Sequence, residues 1–233
     1  MMKLYSYFRS STSYRVRIAL NLKEADYEIV PINLLEAQQR SDEYLAINPL
    51  GGVPAMVEEN GFTLCQSMAM IDYIDHTYSG VGLYPENPQD RAIAHQIACS
   101  VAEDIHPLIN LKVQKYLSEE LGADDAAKKK WYARWSREGM AAAEKMIERY
   151  GKAGDFALGA APSIADICIV PHLYSMRRMG EALDAYPLCR QIERNAMQLD
   201  AFIKAAPESQ PDAIEGLEAI HGINAPFMRE DAA

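Results

Sequence analysis

From Lys3 to Phe8 polar and apolar positions alternate, with Leu4, Ser6 and Phe8 on one face and Tyr5 and Tyr7 on the other, the two-residue period of a strand. Four hydroxyl residues follow, Ser10-Ser11-Thr12-Ser13. Val16, Ile18, Ala19, Leu20 and Leu22 then recur at helical spacing, with Arg15, Arg17 and Lys23 expected outside, so the hydroxyls sit where a helix begins. Tyr27 to Ile32 predicts a second strand. Val53 to Val57, the turn Glu59-Asn60-Gly61 and Phe62 to Leu64 predict a hairpin, and Gln66-Ser67 opens a helix through Ile74. The order is βαβ followed by ββα.

Beyond Asp90 the texture changes to long helical runs: Arg91 to Leu121, Ala126 to Tyr150, and Leu188 to Ala205, which ends before Pro207. Ser163-Ile164-Ala165-Asp166 has the spacing of a capping box ahead of the apolar run Ile167 to Val170, which assigns Asp166 to structure. His106-Pro107 falls inside the first run, where proline removes a hydrogen bond and kinks the chain. The segment 84–89, with Pro85 and Pro88, suits a linker. The expected organisation is an α/β domain over 1–83, a linker over 84–89, an all-α domain over 90–212 and a loosely held tail over 213–233.

With 33 acidic and 23 basic residues in 233, the formal charge of −10 repels phosphate backbones and anionic membranes, so nucleic acid is not an expected partner. No apolar run reaches the ~20 residues of a membrane helix and the N-terminus lacks a secretory apolar region, so a cytoplasmic location is expected. The cysteines, Cys65, Cys99, Cys168 and Cys189, lie far apart without metal-ligand spacing. They are expected as buried thiols, with no metal site.

Four hydroxyls between a strand and a helix suit an anion, because a helix N-terminus offers unpaired N–H groups and about half a positive charge. Arg9 adds a fixed charge beside them. No histidine or carboxylate lies within the segment, so these hydroxyls are donors of hydrogen bonds and not nucleophiles. Taken alone, the spacing is equally that of an ordinary helix cap.

The run from Tyr5 to Leu20, YSYFRSSTSYRVRIAL, closely resembles the signature of zeta-class glutathione transferases. Asn48-Pro49, Val53-Pro54, Gln66-Ser67, Asp104 to Pro107, Ala165-Asp166 and Tyr186-Pro187 match in the same order, so the resemblance spans residues 3 to about 212. It implies a thioredoxin-like N-terminal domain that binds glutathione, an all-helical C-terminal domain that helps hold the second substrate, and a homodimer. It further implies that Ser10 activates glutathione's thiol beside Ser11, that Val53 before a cis-Pro54 meets its cysteinyl part, and that Gln66 and Ser67 hold its γ-glutamyl carboxylate. His106 and Asn110, one helical turn apart, would face glutathione. Arg9 and Arg178 would bind the substrate carboxylate, leaving Arg177 to solvent, and Tyr7 packs inside as a strand residue.

Two departures from the family pattern stand out. Thr12 replaces the usual cysteine, so no protein thiolate is available there, although its hydroxyl can still donate to glutathione's sulfur. Gly51-Gly52 removes side chains common in relatives. The activity implied is glutathione-dependent cis–trans isomerisation of a maleyl-type enedione carboxylic acid, maleylacetoacetate foremost, in aromatic catabolism. Maleylpyruvate isomerisation, conjugation or dehalogenation of small chloroacids, and a non-catalytic binding role on the same scaffold stay open.

Overall fold

The computed structural model describes residues 1–214. Among the described residues, 1–83 together with 197–214 form one compact unit, and Tyr84–Ala196 form a second.

In the first unit, β1 (Met2–Ser6), α1 (Ser11–Leu22) and β2 (Tyr27–Pro31) build the βαβ half, and β3 (Ala55–Val57), β4 (Thr63–Cys65) and α3 (Ser67–Thr77) build the ββα half. A short α2 (Asp42–Ile47) links them. The sheet order is β2-β1-β3-β4. β1 runs parallel to β2, with Leu4 opposite Ile29, and antiparallel to β3, with Leu4 opposite Met56. Leu4, Met56, Val16, Ile18, Leu20, Met70, Ile71 and Ile74 are the fully buried core.

Arg15, Arg17 and Lys23, expected outside, are buried. The helical period finds one apolar face on α1, but the opposite face is covered as well, by α10 (Asp200–Ala205), which returns from the far end of the chain. Arg17 donates to the Ala205 carbonyl at 2.9 Å, the Ser6 hydroxyl at 3.0 Å and the Phe8 carbonyl at 3.1 Å. Burial pushes its pKa down to about 10. Tyr14 donates to the Phe202 carbonyl and Asn21 to that of Ala201, while Lys23 pairs with Asp75 at 2.8 Å. Hence the helical domain expected over 90–212 gives up its last stretch to the first unit. Of the tail expected over 213–233, only Ala213 and Ile214 fall within the described residues.

The second unit opens with α4 (Pro88–Cys99), capped by the Asn87 side chain, which accepts from the amides of Gln89 and Asp90. A π-helical stretch (Ser100–Ile105), α5 (His106–Ile109) and α6 (Leu111–Glu119) follow in place of one helix over Arg91 to Leu121. Pro107 has no N–H to offer the preceding turn, and the ladder widens just before it. α7 (Asp125–Tyr150) is the long helix of this unit. α8 (Ile164–Arg178) is buried along almost its whole length, and Asp166 in its first turn accepts from Ala157 N–H, Ser163 N–H and the Ser163 hydroxyl at 2.7–2.9 Å. The helix expected over Leu188 to Ala205 is split into α9 (Pro187–Ala196) and α10. Glu144 on α7 accepts from the first amides of α9, Leu188 and Cys189, and supplies the cap that Pro187 cannot.

Candidate functional site

The signature segment turns sharply between β1 and α1. Ser10 N–H closes a turn on the Tyr7 carbonyl at 2.9 Å. Ser10 is the N-cap of α1, its hydroxyl accepting from Ser13 N–H at 3.2 Å, and Ser11 is the first helical residue. Thr12 donates to the Val53 carbonyl at 2.8 Å and lies 2.8 Å from the Ser10 hydroxyl. Thr12 has one hydrogen, which goes to Val53, so the shared contact takes the hydrogen of Ser10. The three residues therefore form one chain of hydrogen bonds, Ser10 to Thr12 to Val53. Thr12 thereby ties α1 to the cis Val53-Pro54 peptide.

With its carbonyl so engaged, Val53 keeps an N–H that no described residue accepts, between β3 and the Gly51-Gly52 turn. Tyr44 and Asn48 both donate to the Gly52 carbonyl, at 2.6 and 2.7 Å, and fix that turn. Gly51 sits at φ +58°, and a Cβ there would lie 2.7 Å from the Arg40 guanidinium. A side chain at Gly51 is strained by the left-handed backbone and crowded by the Gln39 carbonyl at 3.1 Å, while the Arg40 guanidinium is the movable end of a flexible side chain. The substitution by glycine is matched to the loop carrying Gln39 and Arg40.

Gln66, exposed, is held at φ +76° just before α3. A non-glycine residue there stores roughly 1–3 kcal/mol of strain, a pattern concentrated at ligand clamps. Ser67 opens α3, and the buried guanidinium of Arg15 reaches its hydroxyl at 3.5 Å. The N-terminus of α3 thus combines the positive end of the helix dipole, a hydroxyl and a buried cation, which together suit a carboxylate. Arg9, half-buried, stacks over Phe8 at 5.0 Å, and its Nε has no hydrogen-bond partner. Tyr7 is buried, edge to face with Phe8 at 4.8 Å.

His106, Asn110 and Arg178 belong to the second unit. His106 begins α5 directly after the π-helical stretch. Asn110 is not one helical turn further along the same helix: at ψ 166° it leaves α5 and caps α6, accepting from Val113 N–H and donating to the Pro107 carbonyl. Its amide serves the chain break. Arg178 ends α8 with its side chain exposed, whereas Arg177, expected in solvent, is buried and makes a bidentate pair with Glu193 of α9. Two arginines one step apart on a helix point about 100° apart, and the structure assigns one inward and one outward. Tyr132 feels the Arg178 charge, although burial dominates and pushes its hydroxyl up to about 12. Nearby Glu181 is held by Arg137 at 2.7 Å.

Asp212, Arg15, Arg17, Tyr44 and Asn48 all brace this site and none was identified from the sequence as doing so. The arginines carried a signal in their spacing, since they flank the apolar positions of α1. Asp212 carried none, standing 204 residues from the backbone it touches. Among the described residues no group of three or more His, Cys, Asp or Glu is placed to hold a metal ion, and no helix is long and apolar enough to cross a membrane.

Comparison with known proteins supplies the class. The family model of the glutathione S-transferase N-terminal domain matches residues 1–76, and that of the C-terminal domain matches 129–192. A maleylacetoacetate isomerase of Pseudomonas aeruginosa is 41% identical over 213 residues, covering 91% of this chain and 98% of its own. A maleylpyruvate isomerase of Ralstonia is 38% identical over 212 residues, covering 91% and 100%. Among solved structures, a holo maleyl pyruvate isomerase described as a bacterial zeta-class glutathione S-transferase matches with a TM-score of 0.88 and 37% identity, over 91% of this chain and all of its own. A maleylacetoacetate isomerase of Methylobacterium extorquens with bound malonate and glutathione gives the same TM-score and identity, over 91% and 99%. The chain belongs to the glutathione S-transferase family. Within that family it stands among the zeta-class members, next to proteins named maleylacetoacetate isomerase and maleylpyruvate isomerase.

Proposed function

We propose that this protein is a glutathione-dependent cis–trans isomerase of a maleyl-type enedione carboxylic acid, with maleylacetoacetate as substrate, acting in the cytoplasm as a homodimer in aromatic catabolism. The observation that carries the reading is the hydrogen-bonded chain Ser10–Thr12–Val53 at the N-terminus of α1, set beside the anion-suited end of α3.

The residues fit glutathione. Val53 offers an unengaged N–H to a peptide, Gln66 and Ser67 with Arg15 behind them suit its γ-glutamyl carboxylate, and Ser10 and Ser11 at the helix end suit its sulfur. Bound glutathione supplies a nucleophilic sulfur for reversible addition to the substrate's double bond. For that sulfur to be anionic at neutral pH, a thiol near pKa ~8.5 must be lowered by about two units, or about 2.7 kcal/mol. Ser10 contributes by turning its hydrogen from Thr12 toward the sulfur, and the amides of α1 add their field. Thr12 keeps Val53 in place throughout. Arg9 on the first unit and Arg178 on the second each offer a fixed positive charge suited to a substrate carboxylate or to the negative charge that develops on its carbonyl oxygen, the place where such charge lowers a barrier most. His106 and Asn110 enter as candidate glutathione residues on the family resemblance, Asn110 also shaping the break after the short helix that His106 begins. Phe62, exposed and tilted against Tyr73 at 5.3 Å, supplies apolar surface of the kind a dimer covers.

Rates measured side by side on maleylacetoacetate, maleylpyruvate and a small chloroacid test this assignment. Fastest turnover of maleylacetoacetate is expected. Faster turnover of maleylpyruvate would make the protein that isomerase instead, and activity on the chloroacid alone would leave a conjugating or dehalogenating transferase.

A further inference from the structure

We propose that Asp212 is a positioning residue for the turn that presents Ser10. This deepens the reading above and rests on Ser10 facing glutathione's sulfur.

The turn Tyr7-Phe8-Arg9-Ser10 is closed by a single backbone bond, from Ser10 N–H to Tyr7. Phe8, at its second position, is buried, and both of its peptide groups are engaged from elsewhere in the unit. Its N–H donates to a carboxylate oxygen of Asp212 at 3.0 Å, and its carbonyl accepts from Arg17 at 3.1 Å. Arg17 also grips Ser6, the last residue of β1, and the Ala205 carbonyl at the end of α10. The returning chain is thereby fastened at Ala205 and at Asp212, on either side of one turn. A buried N–H without an acceptor is costly, so when Asp212 is removed the turn shifts to find another acceptor. Ser10 is two residues away and Arg9 one, and both move with it. Displacements of about 1 Å at such a site cost up to about 100-fold in rate.

The carboxylate's other oxygen has no hydrogen-bond partner among the described residues, so it is the bond to Phe8 that anchors the side chain. The charge of Asp212 is set against that of buried Arg17, and the two act together on the same peptide. A carboxylate's field alone would oppose an anionic sulfur, so its contribution is geometric.

Three proteins separate these contributions: full-length wild type, Asp212→Ala and Asp212→Asn, the last keeping an acceptor while losing the charge. Ultraviolet absorbance of bound glutathione against pH reads the sulfur's ionisation, steady-state rates give kcat and KM, and amide exchange in the ligand-free protein reads the Phe8 N–H. The alanine variant is expected to expose the Phe8 amide, raise the sulfur's pKa by about one unit and lower kcat about tenfold with a smaller change in the KM for glutathione. Asparagine is expected to restore most of each. Wild-type ionisation and kcat in Asp212→Ala, or equal impairment of the alanine and asparagine variants, would overturn the proposal. Should the alanine variant not fold, Asp212→Glu, which displaces the oxygen by one methylene, carries the same test: a raised sulfur pKa supports it and an unchanged one overturns it. A wild-type protein whose bound glutathione is not ionised near neutrality would instead overturn the reading of Ser10 itself.

Discussion

At the scale of single residues, what matters is where each hydrogen and each charge is committed. Thr12 stands where a cysteine is usual in the family, and its hydroxyl is taken up in holding Val53, so position 12 supplies no thiol. Three of the cysteines elsewhere are poor nucleophiles. Burial pushes Cys99 up to about 11, raises Cys65, and holds Cys189 well above the usual range. A raised thiol pKa means that thiolate appears only as pH climbs toward that value, so at pH 8 only about one Cys99 in a thousand is ionised. Treatment with iodoacetamide at pH 8 is therefore expected to leave activity within about twofold of the untreated protein, and rapid inactivation tracking one modified cysteine would contradict this. The hydroxyl cluster and the helix start at Gln66-Ser67 were legible in the sequence because cap chemistry is local, whereas the roles of Val53-Pro54 and Gln66-Ser67 came from the family resemblance. The direction of each hydrogen was not legible, since it depends on a carbonyl 41 residues away.

At the scale of elements, the strands and several helices follow from periodicity, and the exceptions have two causes: a partner distant in sequence, or a local break that the apolar pattern runs straight through. Arg15 and Arg17 read as the solvent side of α1 until α10 covers them. The break at Asn110 and the split between α9 and α10 interrupt apolar patterns that continue unbroken through them, so a period count joins what the backbone divides. Asp166 was legible, because a capping box is confined to four residues. Its carboxyl is pushed up by burial and pulled back by the bonds it accepts from Ala157 and Ser163. Asp166→Ala leaves those donors buried without an acceptor, and a loss on the order of 3 kcal/mol or more is expected. Chemical denaturation gives the value; a change below 1 kcal/mol would remove the structural role assigned here.

At the scale of the whole chain, the described residues divide into a sheet-containing unit, completed by the segment after Met197, and a helical unit. A change from strand-and-helix to all-helical texture near residue 84 is visible in the sequence. The return of the chain to its beginning is not, because only contacts such as Arg17 to Ala205 and Phe8 to Asp212 reveal it. The site on the first unit is thus built from both ends of the chain. The proposed reaction recycles glutathione and does not consume it, and the direct measurement follows total glutathione while maleylacetoacetate is converted to its trans isomer. Many turnovers per glutathione with the total unchanged are predicted. Loss of one glutathione for each product formed would contradict the account.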